Sequence, residues 1–223
     1  MRDRSLRTSS HSIDVVLVTA TRNELAVLLT RNPSERERWS LPWRPAQAGE
    51  TFELAATRAA QEALGEPPSW MEQIGAFGDG KRHPSDADVS VAHLGLIPHE
   101  TASPRAGYTW FQMADLPPLS PRQRAMIEAA TRTIQSRLDQ APIAFRLLPS
   151  TFTLSELQQM YELLLGKRLH KASFRRALQA AWLVEPTDEW RSEGRGRPAQ
   201  LFRYLPKKRR RPHRGVRFDF LYP

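Results

Sequence analysis

Near its end the chain reads Gly194-Arg195-Gly196-Arg197-Pro198-Ala199-Gln200-Leu201-Phe202-Arg203-Tyr204. Glycine and proline between the arginines exclude a helix and favour an extended segment that can lie in a narrow groove. The aromatic and aliphatic residues from Leu201 to Tyr204 predict that the chain then returns to a packed strand. The segment therefore predicts the tip and second strand of a β-hairpin, and we expect Arg195 and Arg197 to contact DNA there. An ordinary arginine-rich turn is the alternative.

Two amphipathic helices are predicted before this hairpin. Thr153-Leu154-Ser155-Glu156 is a capping box, and it begins a helix whose apolar residues recur at spacings of three and four. After a turn over residues 166–169, a second helix is expected over about residues 170–181, with Phe174 and Ala181 among its buried residues. The opposite face of this helix is expected to contact the major groove of DNA through Lys171, Ser173, Arg175, Arg176 and Gln179.

A strand over Trp182-Leu183-Val184 is predicted to be the first strand of the hairpin. The order of helix, turn, helix and hairpin is typical of a winged helix-turn-helix domain, and the four parts together are a more specific signal than a basic helix alone. A winged helix that binds protein is the alternative.

The distribution of charge favours nucleic acid as the partner. From Arg146 to the end the chain has 17 Lys and Arg residues against 7 Asp and Glu, whereas residues 1–145 have 16 against 17. The basic run over residues 207–211 accounts for only half of the C-terminal excess. We therefore predict a near-neutral domain over residues 1–145, a DNA-binding domain over residues 146–206 and a basic tail over residues 207–223.

Composition limits the class of protein. The chain has 223 residues and no cysteine, which excludes disulfides, thiolate metal sites and a cysteine nucleophile. No apolar run approaches the ~18 residues that a membrane helix needs. Residues 1–11 lack the apolar core of a secretory signal. We expect a cytoplasmic protein without a membrane partner, a metal or another cofactor.

The first domain is predicted to be α+β, since its strands and helices do not alternate regularly. Strands are expected over residues 13–20, 25–30, 72–77, 89–97 and 108–111. A helix is expected from Phe52 to Leu64, with Thr51 as its N-cap and Gly65 in the left-handed conformation after it. A longer helix is expected over about residues 122–139, after Ser120 as its cap.

The helix after Thr51 and the loop before it resemble the signature of the Nudix family. That signature is glycine, five residues, Glu, seven residues, then Arg-Glu-apolar-any-Glu-Glu-any-Gly. The positions that match at the correct spacing are Glu50, Arg58, Glu62 and Gly65. The positions that depart are Arg44 for the first glycine, and Ala59 and Ala63 for two glutamates. The resemblance implies a Nudix-like mixed-sheet α/β/α domain.

The same departures bear on activity. Nudix enzymes use glutamates on one helix face to hold Mg²⁺ against a diphosphate, and Ala59 and Ala63 stand where two of those ligands would be. We therefore expect no catalytic residues here, and an active Mg²⁺-dependent hydrolase of ADP-ribose-like substrates is the alternative. Glu62 is assigned either to a ligand site with Arg44 or to an ion pair with Arg58 at a spacing of four residues.

A glycine-containing loop offers further ligand contacts. Residues 77–84 resemble the loop of the ADP-ribose-handling branch of Nudix proteins, which implies ligand contacts from Phe77, Lys81 and Arg82. Solvated loop side chains are the alternative. Asp86 and Asp88 stand where that branch often has basic residues, which leaves the identity of the ligand open.

From about residue 13 to residue 204 the chain resembles the Nudix-related transcriptional regulators of the NrtR type. The residues that carry this resemblance in the second domain include residues 152–158, Phe174-Arg175-Arg176 and Gly196-Arg197-Pro198-Ala199. The resemblance implies a homodimeric repressor of NAD-biosynthesis genes that binds a palindromic operator and is released by a small ADP-ribose-type nucleotide. His170, Ala172 and Ser173 depart from the family's usual recognition helix, so the operator sequence is not implied. A nucleic-acid-binding protein without an effector is a further alternative.

Overall fold

A seven-stranded mixed β-sheet organises the first part of the chain in the computed structural model, which describes residues 11–21, 24–31, 39–78, 87–138, 142–192 and 197–206. The strands are β1 (His11–Ala20), β2 (Leu25–Arg31), β3 (Trp39–Ser40), β4 (Trp43–Pro45), β5 (Trp70–Phe77), β6 (Val89–Leu96) and β7 (Tyr108–Gln112). The sheet order is β3-β2-β1-β6-β5, while β4 pairs with β1 and β7 pairs with β2. Strands β1 and β6 are parallel, and β5 is antiparallel to β6.

Strand β1 lies at the centre of this sheet, and its middle is the continuous apolar run Val15-Val16-Leu17-Val18. All its residues from Ser12 to Ala20 are buried. A strand that is covered on both faces has no need for alternating polar residues, so a continuous apolar run is its expected pattern.

Helix α1 (Phe52–Leu64) begins and ends where the sequence predicts. The Thr51 side chain accepts a hydrogen bond from the Leu54 N–H at 3.2 Å, and Gly65 ends the helix with a φ of +90°. Its buried residues are Ala55, Ala56, Ala59, Ala60, Ala63 and Leu64. Small side chains allow the helix to approach the sheet closely.

Helix α2 (Pro121–Arg137) covers the face of the sheet opposite to α1. Arg122 lies 3.4 Å from the Ser90 hydroxyl on β6. Burial lowers the pKa of His93, against the opposing charge of Glu53 on α1. Because Ser90 and His93 are three positions apart on one strand, their side chains point to opposite faces. This arrangement confirms the predicted α/β/α layers.

Where the structure describes it, the second part of the chain has two α-helices, a short 3-10 helix over Ile143–Arg146 and a three-stranded antiparallel sheet. Its elements are β8 (Thr151–Phe152), α3 (Leu154–Leu165), α4 (Lys171–Ala181), β9 (Val184–Arg191) and β10 (Ala199–Tyr204). The sheet order is β8-β10-β9. An aromatic cluster fills its core, with ring centroids 4.6 Å apart for Phe145 and Tyr204 and 5.5 Å apart for Tyr161 and Phe174.

The sequence prediction was wrong for the start of the hairpin. Trp182 was expected in a strand, but it ends α4 in the left-handed conformation, with a φ of +52° and 72% of its surface exposed. Strand β9 therefore begins at Val184. Ala181 is half-buried and not fully buried as expected. The two-residue strand β8 was not predicted, since such a short strand has no periodicity to detect.

By its contacts the chain divides into two units, the first comprising residues 1–18, 27–96 and 103–130, and the second the remainder. Among the described residues, no helix combines the length and the apolar character that a membrane crossing requires.

Candidate nucleic-acid interface and ligand site

One face of α4 is buried and the other is exposed and basic. Phe174, Ala177 and Leu178 are buried, and they fix the rotation of the helix about its axis. The predicted DNA-contacting residues Lys171, Arg175, Arg176 and Gln179 are all exposed on the other face. Ser173 is half-buried, and its hydroxyl lies 3.2 Å from Nδ1 of His170 at the start of the helix. The structure thus places four of the five predicted side chains on open surface.

A single carboxylate organises the turn between α3 and α4. The Glu162 Oε1 atom accepts hydrogen bonds from the Leu169 N–H at 2.9 Å and from Gln158 Nε2 at 3.0 Å, while Arg168 lies 3.3 Å from Oε2. Burial by itself raises the pKa of Glu162, but the hydrogen bonds from Gln158 and Leu169 and the charge of Arg168 outweigh it, so the pKa lies below its ordinary value.

Sequence reasoning missed this role of Glu162. The available signal was an acidic residue near the C-terminal end of a helix, where the helix dipole disfavours negative charge. Such a residue needs local donors, and here they come from the turn that positions α4.

The hairpin β9–β10 forms the wing, and it is attached to the start of α3. Arg191 at the end of β9 donates to Glu156 Oε1 at 2.7 Å. The other carboxylate oxygen of Glu156 accepts from the Thr153 N–H at 2.7 Å, which completes the predicted capping box. Arg197 is exposed just before β10. Its predicted partner in DNA binding, Arg195, lies outside the described residues.

In the Nudix-like domain, Glu50 is bound by Arg58. The guanidinium donates twice, from Nε at 3.0 Å to Oε1 and from Nη2 at 2.8 Å to Oε2. The Gln47 N–H donates to the same carboxylate at 2.9 Å. The hydrogen bonds from Arg58 and Gln47 lower the pKa of Glu50, which therefore stays ionised.

Glu62 forms an ion pair with Arg44 on β4. The alternative pair between Glu62 and Arg58 was therefore wrong, because Arg58 reaches back to Glu50 and to the Pro45 carbonyl. The side chains of Arg44 and Glu62 are 35% and 43% exposed, so both reach solvent. Arg44, which departs from the Nudix signature, and Glu62, which matches it, therefore lie next to each other. A ligand site that uses both side chains requires this proximity.

The two alanines that replace glutamates are inaccessible. Ala59 is 2% exposed and Ala63 is fully buried. Among the described residues, no group of three acidic or histidine side chains is arranged to hold a metal ion. Phe77 ends β5 and is half-buried, directly before the loop in which Lys81 and Arg82 were predicted to bind a ligand. Those two residues lie outside the described residues.

A buried polar network at the start of β6 was not predicted. Arg122 donates to the Ala87 carbonyl at 2.8 Å. Ser12 donates to Asp14 at 2.7 Å and lies 2.9 Å from the Ser90 hydroxyl. These residues join β1, β6 and α2, so the point at which the chain enters β6 is fixed.

Comparison with known proteins agrees with both halves of this description. A NUDIX domain model matches residues 10–130, and a model of the NrtR DNA-binding winged helix domain matches residues 144–204. The ADPR responsive transcriptional repressor NtrR of Acinetobacter baylyi is 27% identical over 203 residues, which is 86% of this chain and 81% of that protein.

Two solved structures are similar to this chain over most of its length. Shewanella oneidensis NrtR, crystallised with a 27mer DNA, is 29% identical with a TM-score of 0.76, over 87% of this chain and 93% of that one. A MutT/nudix family protein from Enterococcus faecalis shares the fold, with a TM-score of 0.68 at 18% identity over 92% of this chain and 90% of that one. With a NUDIX domain followed by an NrtR DNA-binding winged helix domain, the chain belongs to the NrtR-type transcriptional regulators of the Nudix family.

Proposed function

We propose that this protein is a repressor that binds a palindromic operator as a homodimer, with α4 in the major groove and the wing beside it. The exposed basic face of α4 carries this proposal. Two copies related by a two-fold axis present two such helices, which is how winged helix dimers read symmetrical sites. A protein that acts on the chromosome of a bacterial cell works in the cytoplasm, and that location is part of the proposal.

The assignment of DNA contacts follows from side-chain chemistry. Arg175 and Arg176 present guanidinium groups, which bind phosphates and guanine edges in pairs of hydrogen bonds, and Gln179 offers an amide that can pair with adenine. Lys171 lies at the N-terminal end of α4, the end that enters the groove in this class of domain. Arg195 and Arg197 are assigned to the minor groove beside it.

A nucleotide-type effector is proposed for the Nudix-like domain. The Acinetobacter baylyi relative is described as responsive to ADPR, and the present chain matches it over both domains. ADP-ribose is therefore the first effector to test, and genes of NAD metabolism are the first targets. Arg44, Glu62 and Phe77, with Lys81 and Arg82 of the adjoining loop, are the proposed ligand contacts.

The Nudix-like domain is proposed to bind its ligand without hydrolysing it. Hydrolysis needs carboxylates that hold Mg²⁺ against the diphosphate. Here two of those positions are buried alanines, and the remaining glutamates are each engaged by an arginine. Mg²⁺-dependent turnover of ADP-ribose by the full-length protein would contradict this part of the proposal.

Fluorescence anisotropy with a labelled fragment of the protein's own promoter tests the DNA-binding part. We expect binding at ~50–150 mM salt. Replacing a single arginine of α4 by alanine should reduce the slope of the logarithm of the binding constant against the logarithm of the salt concentration by about one. Arg124→Ala, on the exposed surface of α2, is the matched control and should leave both quantities unchanged. Absence of binding by the unaltered protein at low salt would overturn the proposal.

A further inference from the structure

We propose that Arg44 takes the place of the metal ion in this Nudix-like domain, so that the diphosphate of the effector binds to its guanidinium without Mg²⁺. This inference rests on the proposed nucleotide effector and concerns how the same site recognises it. The Nudix fold implies a Mg²⁺ site, and the residues present do not fit one.

The charge of the signature residues is the first reason. Relative to the family pattern, the chain loses two glutamates at positions 59 and 63 and gains an arginine at position 44. The side chains that remain are two arginines and two glutamates, joined as the pairs Arg44–Glu62 and Arg58–Glu50. A neutral group of this kind does not attract Mg²⁺, which needs several carboxylates or phosphates to replace its waters.

The second reason why the site does not fit Mg²⁺ is that each carboxylate already pairs with an arginine. Both oxygens of Glu50 accept hydrogen bonds from Arg58, and one also accepts from the Gln47 N–H. That side chain is nearly buried. Both oxygens of Glu50 are therefore occupied by donors from Arg58 and Gln47. Of the two signature glutamates, only Glu62, which pairs with Arg44, is open to solvent.

The exposure of Arg44 explains how it can bind a ligand. Its guanidinium is attached to Glu62 at a site where more than a third of each side chain meets water. An exposed pair of this kind is worth little, because water solvates both partners when they separate. A diphosphate offers the same bidentate geometry with more charge, so it can displace Glu62 from Arg44.

The role of Glu62 follows from this exchange. In the free protein it neutralises Arg44, and in the bound protein its charge lies close to the phosphates and repels them. Glu62 therefore lowers the affinity for the effector. In a hydrolase the same residue would be needed for metal binding, so its substitution distinguishes the two mechanisms.

Isothermal titration of the full-length protein with ADP-ribose and with inorganic pyrophosphate, each in EDTA and in Mg²⁺, tests the inference. We expect both probes to bind equally well with and without Mg²⁺. Arg44→Gly, which restores the family residue, should weaken binding by roughly 10- to 100-fold, as expected for lost hydrogen bonds between charged groups. Glu62→Gln should tighten it by roughly two- to fivefold, the size of an exposed charge interaction.

Controls separate binding from folding. Arg44→Lys keeps the charge without the planar fork and should bind more weakly than the unaltered protein but more tightly than Arg44→Gly. Arg124→Ala should bind as the unaltered protein does, and a thermal melt of each variant checks that the domain is folded.

Several outcomes would overturn the inference. These are binding that requires Mg²⁺, loss of binding in Glu62→Gln, and unchanged affinity in a folded Arg44→Gly. Failure of both probes to bind under any condition would overturn it as well. DNA binding of the same samples, measured by anisotropy, shows independently whether the proposed repressor function stands.

Discussion

Arg191 in the wing donates a hydrogen bond of 2.7 Å to the carboxylate of Glu156 in the first turn of α3. The same carboxylate caps α3 through the Thr153 N–H, so one side chain joins the wing to the start of the helix that precedes α4. The two residues are 35 positions apart in the sequence. The angle of the wing relative to α3 thus depends on a specific contact.

Replacing Glu156 should destabilise the winged helix domain. Glu156→Ala removes half of the capping box and the ion pair, and we expect a loss of about 1–2 kcal/mol in the free energy of unfolding. Glu156→Gln keeps an acceptor for the Thr153 N–H and should lose about half as much. Urea unfolding followed by circular dichroism measures both. Equal losses in the two variants would show that the charge of Glu156 contributes all of the effect.

Glu162 should make the stability of the domain depend on pH. Its pKa is lowered in the folded protein, so its contribution is present above the unfolded pKa of about 4.5 and is lost as the pH falls through the folded value. Glu162→Gln lacks this charge. We therefore expect the unaltered protein to be more stable than Glu162→Gln by about 1–3 kcal/mol at neutral pH, the size of hydrogen bonds to a charged group. This difference in unfolding free energy should shrink as the pH falls from 6 to 3.

Comparative urea unfolding at several pH values checks this prediction. Glu50 also has a lowered pKa and acts in the same direction, but it is present in both proteins and cancels in the difference. A difference that grows on acidification would contradict the assignment.

Arg197 should determine the preference of the wing for flanking sequence. Its side chain is exposed where the hairpin enters β10, and guanidinium groups bind best in the narrow minor groove of A·T-rich DNA. Arg197→Ala is expected to weaken binding most when the operator is flanked by A·T pairs. Anisotropy titrations with A·T-rich and G·C-rich flanks test this, and an equal loss on both would disprove minor-groove reading at this position.

Trp182 should be a site at which glycine stabilises the protein. A non-glycine residue in the left-handed conformation costs about 1–2 kcal/mol, and Trp182 is largely exposed, so its side chain recovers little of this through burial. We expect Trp182→Gly to raise the free energy of unfolding by roughly 0.5–1 kcal/mol.

Trp182→Ala is the matched control for this prediction. It removes the indole but keeps a Cβ atom in the same strained conformation, so no gain is expected. Thermal unfolding of the three proteins measures the effect, and stabilisation by alanine equal to that by glycine would place the cause in the indole rather than in the backbone.

Features whose partners are close in sequence were predicted well. Helix α1 begins after its N-cap Thr51 and ends before Gly65, as expected. Thr153 and Glu156 form the predicted capping box of α3. Each depends on groups within about one helical turn, so the sequence contains both partners in order. The exposed face of α4 was predicted for the same reason, because helical periodicity assigns Arg175 and Arg176 to the side opposite Phe174.

Features that depend on distant partners were predicted poorly. Spacing along α1 left a pair between Arg58 and Glu62 open as an alternative, yet β4 brings Arg44 to Glu62 and the loop before α1 brings Glu50 to Arg58. The network of Ser12, Ser90 and Arg122 joins residues that only the sheet and α2 bring together. No local pattern records which of several oppositely charged side chains will be nearest after folding.

By itself, therefore, the sequence determined the order of the elements apart from the short strands β3, β4 and β8, together with the ends of α1 and α3, the basic face of α4 and the departures from the Nudix signature. Only the tertiary structure decided that Arg44 and Glu62 form a pair and that Arg191 attaches the wing to Glu156. The physical reason is range: backbone caps and helical faces follow from neighbouring residues, whereas ion pairs follow from the packing of strands and helices far apart in the chain.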